Sequence, residues 1–258
     1  METALITGAT EGIGYEFSLL FAKKGINLII VARNKEKLKK IATELQTGQI
    51  TVTSYALDLS DLKNAEKLYT DLTEKNIEID FLVNNAGFGI TGEFLDMDWT
   101  KLREMFNLNM LTVAYLTRKF AADMKQRKRG RILNIGSTAS FQPGPYMAGY
   151  FASKAFVLSL SEAVNFELRD TNVSVATLCP GVTDSRFHFT AMSRNTKMHR
   201  LLPHATSQEV AEFGFRLMMK GKPLGIHGMI NRMIVFLNRL IPRNTAVSVS
   251  ALILKPEG

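Results

Sequence analysis

Short β-rich runs that alternate with longer segments of helical spacing predict an α/β fold, a doubly wound parallel sheet with helices on both faces. Three observations carry this. Apolar, β-rich runs recur at residues 3–6, 27–32, 51–57, 81–83, 131–135 and 173–178. The segments between them place apolar residues three and four apart. No Pro/Ser-rich linker or low-complexity stretch interrupts the pattern, so residues 1–258 read as one domain.

The first run leads into Thr7-Gly8-Ala9-Thr10-Glu11-Gly12-Ile13-Gly14, then into a segment, 12–24, with Phe17, Leu20 and Phe21 on one face. Gly8 permits a sharp turn out of the strand. Gly12 lets backbone approach a pyrophosphate closely, and Gly14 lets helix pack tightly on strand. Thr10 and Ile13 complete the loop. A helix starting here aims free N–H groups and its positive dipole end at phosphates. The spacing is G-x-x-x-G-x-G, not the common G-x-G-x-x-G. Its place between an N-terminal strand and an amphipathic helix makes the fold Rossmann-like and the loop a dinucleotide site.

The second run ends Ala32-Arg33-Asn34, where such folds meet the adenosine ribose. An acidic residue there would select NAD; Arg33 instead suits a 2′-phosphate, hence NADP(H). Lys35 and Lys37 add attraction, whereas the Glu11 carboxylate opposes it. The helix 35–45 buries Leu38, Ile41, Ala42 and Leu45. The third run ends Leu57-Asp58-Leu59. Asp58 is placed to accept from an adenine amino group or to cap the next helix, 62–72, for which Ser60 and Asp61 are better caps. The fourth run ends Asn84-Asn85-Ala86-Gly87, a tight turn beside a ligand or simply a turn.

A single helix is expected over 99–124. The basic run Lys125–Arg131 then lies at the N-terminal edge of the sheet, opposite the edge where open parallel sheets bind ligands, and reads as a solvated loop. The fifth strand presents Ser137 at the ligand edge. The helix 146–168 carries Tyr150 and Lys154, four apart and so on one face. A free phenol has a pKa near ~10; an adjacent ammonium favours its phenolate. Such a pair is a workable acid for carbonyl reduction and base for alcohol oxidation. Tyr115 and Lys119 share the spacing, but Leu102, inside a helix, stands where Tyr150 has Ser137 upstream.

Taken in order, TG-x-x-x-G-x-G, Asp58, N-N-A-G, Asn109, Ser137, Y-x-x-x-K and P-G resemble the short-chain dehydrogenase/reductase family over residues 3–185, particularly its NADP-dependent bacterial carbonyl and 3-oxoacyl reductases. The resemblance implies that Gly8, Gly12 and Gly14 hold the pyrophosphate and that Asp58 and Leu59 meet adenine. Asn84, Asn85, Ala86 and Gly87 would form the cofactor floor. Ser137 would bind the substrate oxygen and Tyr150 exchange the proton. Lys154 would bind the nicotinamide ribose and lower the tyrosine pKa, with Asn109 holding a relay water. Pro180, Gly181, Thr183 and Ser185 would clamp the carboxamide; Ser185 stands where the family has threonine, and either hydroxyl serves. It also implies homodimers or homotetramers through helices 99–124 and 146–168.

The rest of the chain is less informative. The net charge of +8 fits a polyphosphate cofactor, an acidic macromolecule or an anionic membrane. The single cysteine, Cys179, allows no internal disulfide and reads as core. No signal-like N-terminus or apolar run of ~20 residues is seen, so a cytoplasmic location is expected. Residues 184–226 are expected to form a helical substrate lid, with Phe187, Phe189, Met192, Met198, Leu201 and Leu202 among Arg186, Arg194, Lys197 and Arg200. Together with Phe141, Pro143 and Met147 they suit a hydrophobic carbonyl compound. His188, His199, His204 and His227 lack metal-ligand spacing, and no metal is expected. The amphipathic C-terminal segment, 227–258, has an apolar face from Met229 to Ile241 that ends at Pro242 and Arg243. It fits packing on protein best, a second subunit next and a membrane surface last. Three functions stay in view: a carbonyl reductase, an NADP-dependent alcohol or hydroxysteroid dehydrogenase running oxidatively, and a non-catalytic NADP-binding regulator. The Asn109, Ser137, Tyr150, Lys154 set disfavours the last. Nucleic-acid binding would rest on Lys125–Arg131 alone and is not expected.

Overall fold

The computed structural model describes residues 1–46, 48–184 and 200–255. Parallel strands need long crossovers, and the alternation supplies them. β1 (Thr3–Thr7), β2 (Asn27–Ala32) and β3 (Val52–Ala56) are followed by β4 (Phe81–Asn84), β5 (Gly130–Ile135), β6 (Val173–Cys179) and a short β9 (Leu224–Ile226). They pair in parallel in the order β3-β2-β1-β4-β5-β6-β9. The order reverses between β1 and β4, and ligands bind outside the carboxyl ends of strands at such a switch point. β7 (Thr183–Asp184) and β8 (Ala205–Thr206) form a separate two-residue ladder.

Strands covered on both faces read as continuous apolar runs, and all five residues of β1 are buried. One face is covered by α1 (Gly12–Lys23), α2 (Lys35–Leu45) and α7 (Ser207–Met219), around Phe17, Phe21, Leu38 and Met218. The other is covered by α3 (Leu62–Glu74), α5 (Val113–Gln126) and α6 (Ala148–Glu167), around Leu68, Leu116 and Phe120.

Four expectations are corrected. The helix expected over 99–124 is α4 (Trp99–Phe106), a π-helical segment Asn107–Thr112 and α5; such insertions recur at functional sites, and this one carries the buried Asn109. The far part of the expected lid is the layer helix α7, which packs on α1, with the Gly214 backbone against Phe17 and Leu178. The tail is two helices, α8 (Met229–Asn238) and α9 (Arg243–Leu254). Pro242 ends the apolar face as expected, but it also stands at the start of α9, because a helix start does not use the N–H that proline lacks. The basic run is more than solvated loop: Arg129 pairs with buried Asp80 at 2.8 Å, and Arg131 donates to the Met218 carbonyl at 3.3 Å.

Candidate active site

The carboxyl ends of the strands open into a cleft of about 470 Å³. At one end lies the glycine loop. Gly8 and Gly12 have φ of +67° and +57°, the left-handed region where a Cβ is strained. A Cβ on Gly14 would collide with the Gly8 carbonyl. The N-cap of α1, Glu11, makes no side-chain capping bond, and the first turn carries no acidic residue. Gly12 and Ile13 line the cleft, and among the described residues no side chain caps the first-turn N–H groups. This is the cradle a pyrophosphate requires.

The N-N-A-G turn is tied to that loop. Asn85 Nδ2 donates to the carbonyls of Thr7 and Gly8 at 3.0 and 3.2 Å. Thr7 Oγ1 accepts from the amides of Asn85 and Ala86, each at 3.0 Å. Asn84 is not at the ligand; it is buried and donates to Thr117 and Asn134. Arg33 lines the cleft at the tip of β2 and, among the described residues, forms no ion pair. Glu11 is paired to Lys37 at 3.3 Å, which offsets the carboxylate that opposes a 2′-phosphate. Asp58 and Leu59 also line the cleft; the Asp58 carboxylate accepts from Ser60 N and Oγ, while Asp61 caps α3.

At the other end Ser137, Tyr150 and Lys154 converge from β5 and α6. Ser137 caps a 3₁₀ turn, Thr138–Phe141, its Oγ accepting from Ala139 N at 3.1 Å. Burial pushes the Tyr150 phenol up to about 12, and a hydrogen bond with Ser137 pulls weakly the other way. Lys154 is buried and lowered to about 8 by desolvation, its Nζ donating to the Ile135 carbonyl at 2.7 Å. The Lys154 ammonium stands 5.8 Å from the Tyr150 ring centroid, and in this arrangement burial dominates the phenol's shift. Lys119 stands at the same 5.8 Å from Tyr115. That pair packs on Tyr69 outside the cleft, so position in the fold separates the two.

Asn109 is a brace. Its Nδ2 donates to the Phe88 carbonyl at 2.9 Å and to Ser153 Oγ at 3.1 Å, and its Oδ1 accepts from Phe88 N at 3.2 Å. Both amide hydrogens are committed, so the side chain holds the Gly87–Phe88 turn against α6 beside Lys154. Pro180 and Gly181 line the cleft; Thr183 does too, its hydroxyl donating to the Gly181 carbonyl at 3.1 Å. Ser185, Arg186, Phe187, His188, Phe189, Met192, Arg194, Lys197, Met198 and His199 lie outside the described residues.

The tail supplies a wall that sequence reasoning missed. Ile234 and Val235 of α8 and Ile253 and Leu254 of α9 line the cleft. Asn231 fills the space beside Gly181 and donates to the His227 carbonyl at 2.8 Å. The apolar spacing marked a helix face but not what it faces. Among the described residues no group of three or more His, Cys, Asp or Glu could hold a metal ion.

The sequence matches the family model for short chain dehydrogenases over residues 2–196. The chain is a short-chain dehydrogenase/reductase. This dehydrogenase/reductase therefore belongs to a family of oxidoreductases that bind a nicotinamide cofactor, and the cradle above fits one. It is 36% identical over 207 residues to a very-long-chain 3-oxoacyl-CoA reductase of Neurospora crassa, covering 78% of this chain. It spans only 60% of that protein's length. A 7beta-hydroxysteroid dehydrogenase of Clostridium sardiniense is 32% identical over 181 residues, 69% of this chain and 68% of that one. Among solved structures, a short-chain dehydrogenase from Sphingobium yanoikuyae in complex with NADPH aligns with a TM-score of 0.82 at 28% identity, over 93% of this chain and 94% of that one. A 7beta-hydroxysteroid dehydrogenase aligns at 0.87 with 25% identity, over 97% and 96%.

Proposed function

We propose that this enzyme is an NADP(H)-dependent reductase of hydrophobic ketones, with Tyr150 as the proton donor. The observation that carries the reading is the convergence of Ser137, Tyr150 and Lys154 in the same cleft as the glycine loop. The buried phenol holds its proton at neutral pH, so Tyr150 has a proton to give once a carbonyl oxygen is placed against it. When bound, the nicotinamide supplies a hydride to the carbonyl carbon. Tyr150 passes its proton to the carbonyl oxygen, giving a secondary alcohol. Ser137 holds that oxygen by a hydrogen bond, and Lys154 Nζ, fixed by Ile135, keeps further N–H donors for the cofactor ribose and the returning proton. Asn109 braces this floor. Thr183 or Ser185 would hold the carboxamide.

The choice of NADP(H) is supported by Arg33 at the β2 tip and by the pairing of Glu11 with Lys37. An apolar substrate is supported by Met147, Phe151, Ile234, Val235, Ile253 and Leu254 around the far end of the cleft. Relatives named for 3-oxoacyl thioesters and a hydroxysteroid make bulky ketones of those two kinds the first substrates to try. We place the protein in the cytoplasm and read it as a homodimer or homotetramer, the assembly being supported by the outer face of α6, where Ala152, Ala155, Ser159 and Phe166 are exposed. The test follows NADPH absorbance with simple ketones, 3-oxoacyl thioesters and oxosteroids. Failure with every ketone, with NADPH still bound, would favour the non-catalytic regulator.

A further inference from the structure

A surface helix ordinarily turns one apolar stripe to the core and a polar face to water. Helix α8 is apolar both ways. Ile234 and Val235 point into the cleft, with Asn231 and Asn238 on the same side bonded to His227 and Gln142. On the opposite side Met229, Ile230, Met233, Phe236 and Leu237, with Leu240 just beyond, recur at helical spacing and are exposed; Met229 is 84% and Phe236 60% exposed. Arg232 and Arg239, seven apart, run along one flank.

Charge separates the occupants. Residues 213–256 contain no Asp or Glu, but they contain Arg216, Lys220, Lys222, Arg232, Arg239, Arg243 and Lys255, a net +7. The whole chain is +8, so the rest, with 25 Lys or Arg against 24 Asp or Glu, is nearly neutral. Arg216, Lys220, Lys222 and Arg232 line a second hollow of about 390 Å³ beside the first turn of α8. Arg216 is answered by Glu212 at 3.7 Å, but a second copy docked by the same face would bring Arg232, Arg239 and Arg243 against their counterparts with no acid on α8 or α9 to answer them. An anionic bilayer answers both features, taking the apolar residues among its acyl chains and the cations among its headgroups. No helix of the described residues is long and apolar enough to cross a membrane, so this would be docking in the interface plane.

We propose that α8 and its basic flank dock this protein on anionic lipid membranes. The inner side of the docked helix is a wall of the cleft, which places the apolar end of the cleft next to the bilayer. Docking does not depend on the reaction, and its readout is binding, not turnover.

The experiment is co-sedimentation of the full chain with vesicles of phosphatidylcholine alone or mixed with phosphatidylglycerol, at low and high salt. Two variants accompany it, Met233→Gln/Phe236→Gln/Leu237→Gln and Arg239→Glu/Arg243→Glu. Melting and NADPH binding confirm that each is folded. Wild type should partition to the anionic vesicles at least about tenfold better than to phosphatidylcholine, less so at high salt, since each basic residue near the surface contributes about fivefold. Each variant should lose at least about tenfold. No sedimentation with anionic vesicles would overturn the proposal, as would variants that bind like wild type. So would a dimer in analytical centrifugation that the triple substitution splits while vesicles are ignored, since the covering partner would then be a second copy.

Discussion

Replacing Tyr150 by phenylalanine tests the mechanism with little structural disturbance. The ring is buried and packs edge-on against Phe151, with centroids 6.2 Å apart, and phenylalanine keeps that shape. The hydroxyl loses its bond to Ser137, worth about 1 kcal/mol net, while the cost of burying a polar group also disappears. Stability should therefore change by no more than about 1 kcal/mol. Turnover should change far more. General acid catalysis contributes roughly 10²–10⁴-fold, so kcat for any accepted ketone should fall at least ~100-fold. Tyr115→Phe is the control, because Tyr115 has the same lysine geometry but packs on Tyr69 away from the cleft; its kcat should be nearly unchanged. The assay measures kcat for both variants on one ketone, with NADPH affinity and melting temperature beside it. Near-wild-type turnover in Tyr150→Phe would refute the mechanism.

Arg33→Ala should weaken NADPH about 10- to 100-fold and leave NADH nearly unchanged, as expected for loss of charge-assisted bonds to one phosphate; fluorescence titration of both cofactors decides it, and equal wild-type affinity for the two would sink the NADP assignment. Gly14→Ala drives a Cβ into the Gly8 carbonyl, so cofactor affinity should drop at least about tenfold and melting temperature fall too; an unchanged variant would mean the loop is not packed as described. For Lys154 the folded pKa, about 8, lies below its ordinary 10.5, so between those values the unfolded chain binds the extra proton and rising pH favours folding. Denaturant titrations from pH 8 to 10.5 should show wild type gaining on Lys154→Met by up to about 3 kcal/mol, and a constant gap would show that Lys154 is not desolvated. Sedimentation at micromolar concentration should show oligomers, and Phe166→Arg on the exposed face of α6 should shift them toward monomer; a wild type that sediments only as monomer would refute self-association.

The sheet was legible because burial on both faces leaves continuous apolar runs, and helices between them keep a regular stripe. β9 was not, since Leu224–Ile226 is three residues long and becomes a strand by pairing beside β6. The break in 99–124 was invisible for another reason. Asn107, Leu108 and Asn109 fit an ordinary helix pattern, and the π segment is fixed by the bonds from Asn109 to Phe88 and Ser153, residues 21 behind and 44 ahead in the chain. Periodicity reports only neighbours on the same element.

The same limit explains what was found and missed in the site. Glycine loop, N-N-A-G turn, Ser137, Tyr150 and Lys154 were recognisable because each is a local motif at a strand end, and parallel topology brings strand ends together without further information. Spacing shows that Lys154 is near Tyr150, but not that both groups are buried, or that the Ile135 carbonyl holds the ammonium. The tail shows the limit most plainly. Its sequence revealed a wide apolar face and basic residues, and packing on protein was the natural reading. The structure divides that face in two. Val235, 3% exposed, and Ile234 beside it belong to the cleft, whereas Phe236, one residue on from Val235, is 60% exposed on the opposite side. A helix whose inner stripe shapes the pocket and whose outer stripe is apolar satisfies two constraints at once, and a single periodicity cannot separate them. The burial of Val235, the exposure of Phe236 and the bond from Asn238 across to Gln142 show which stripe is which.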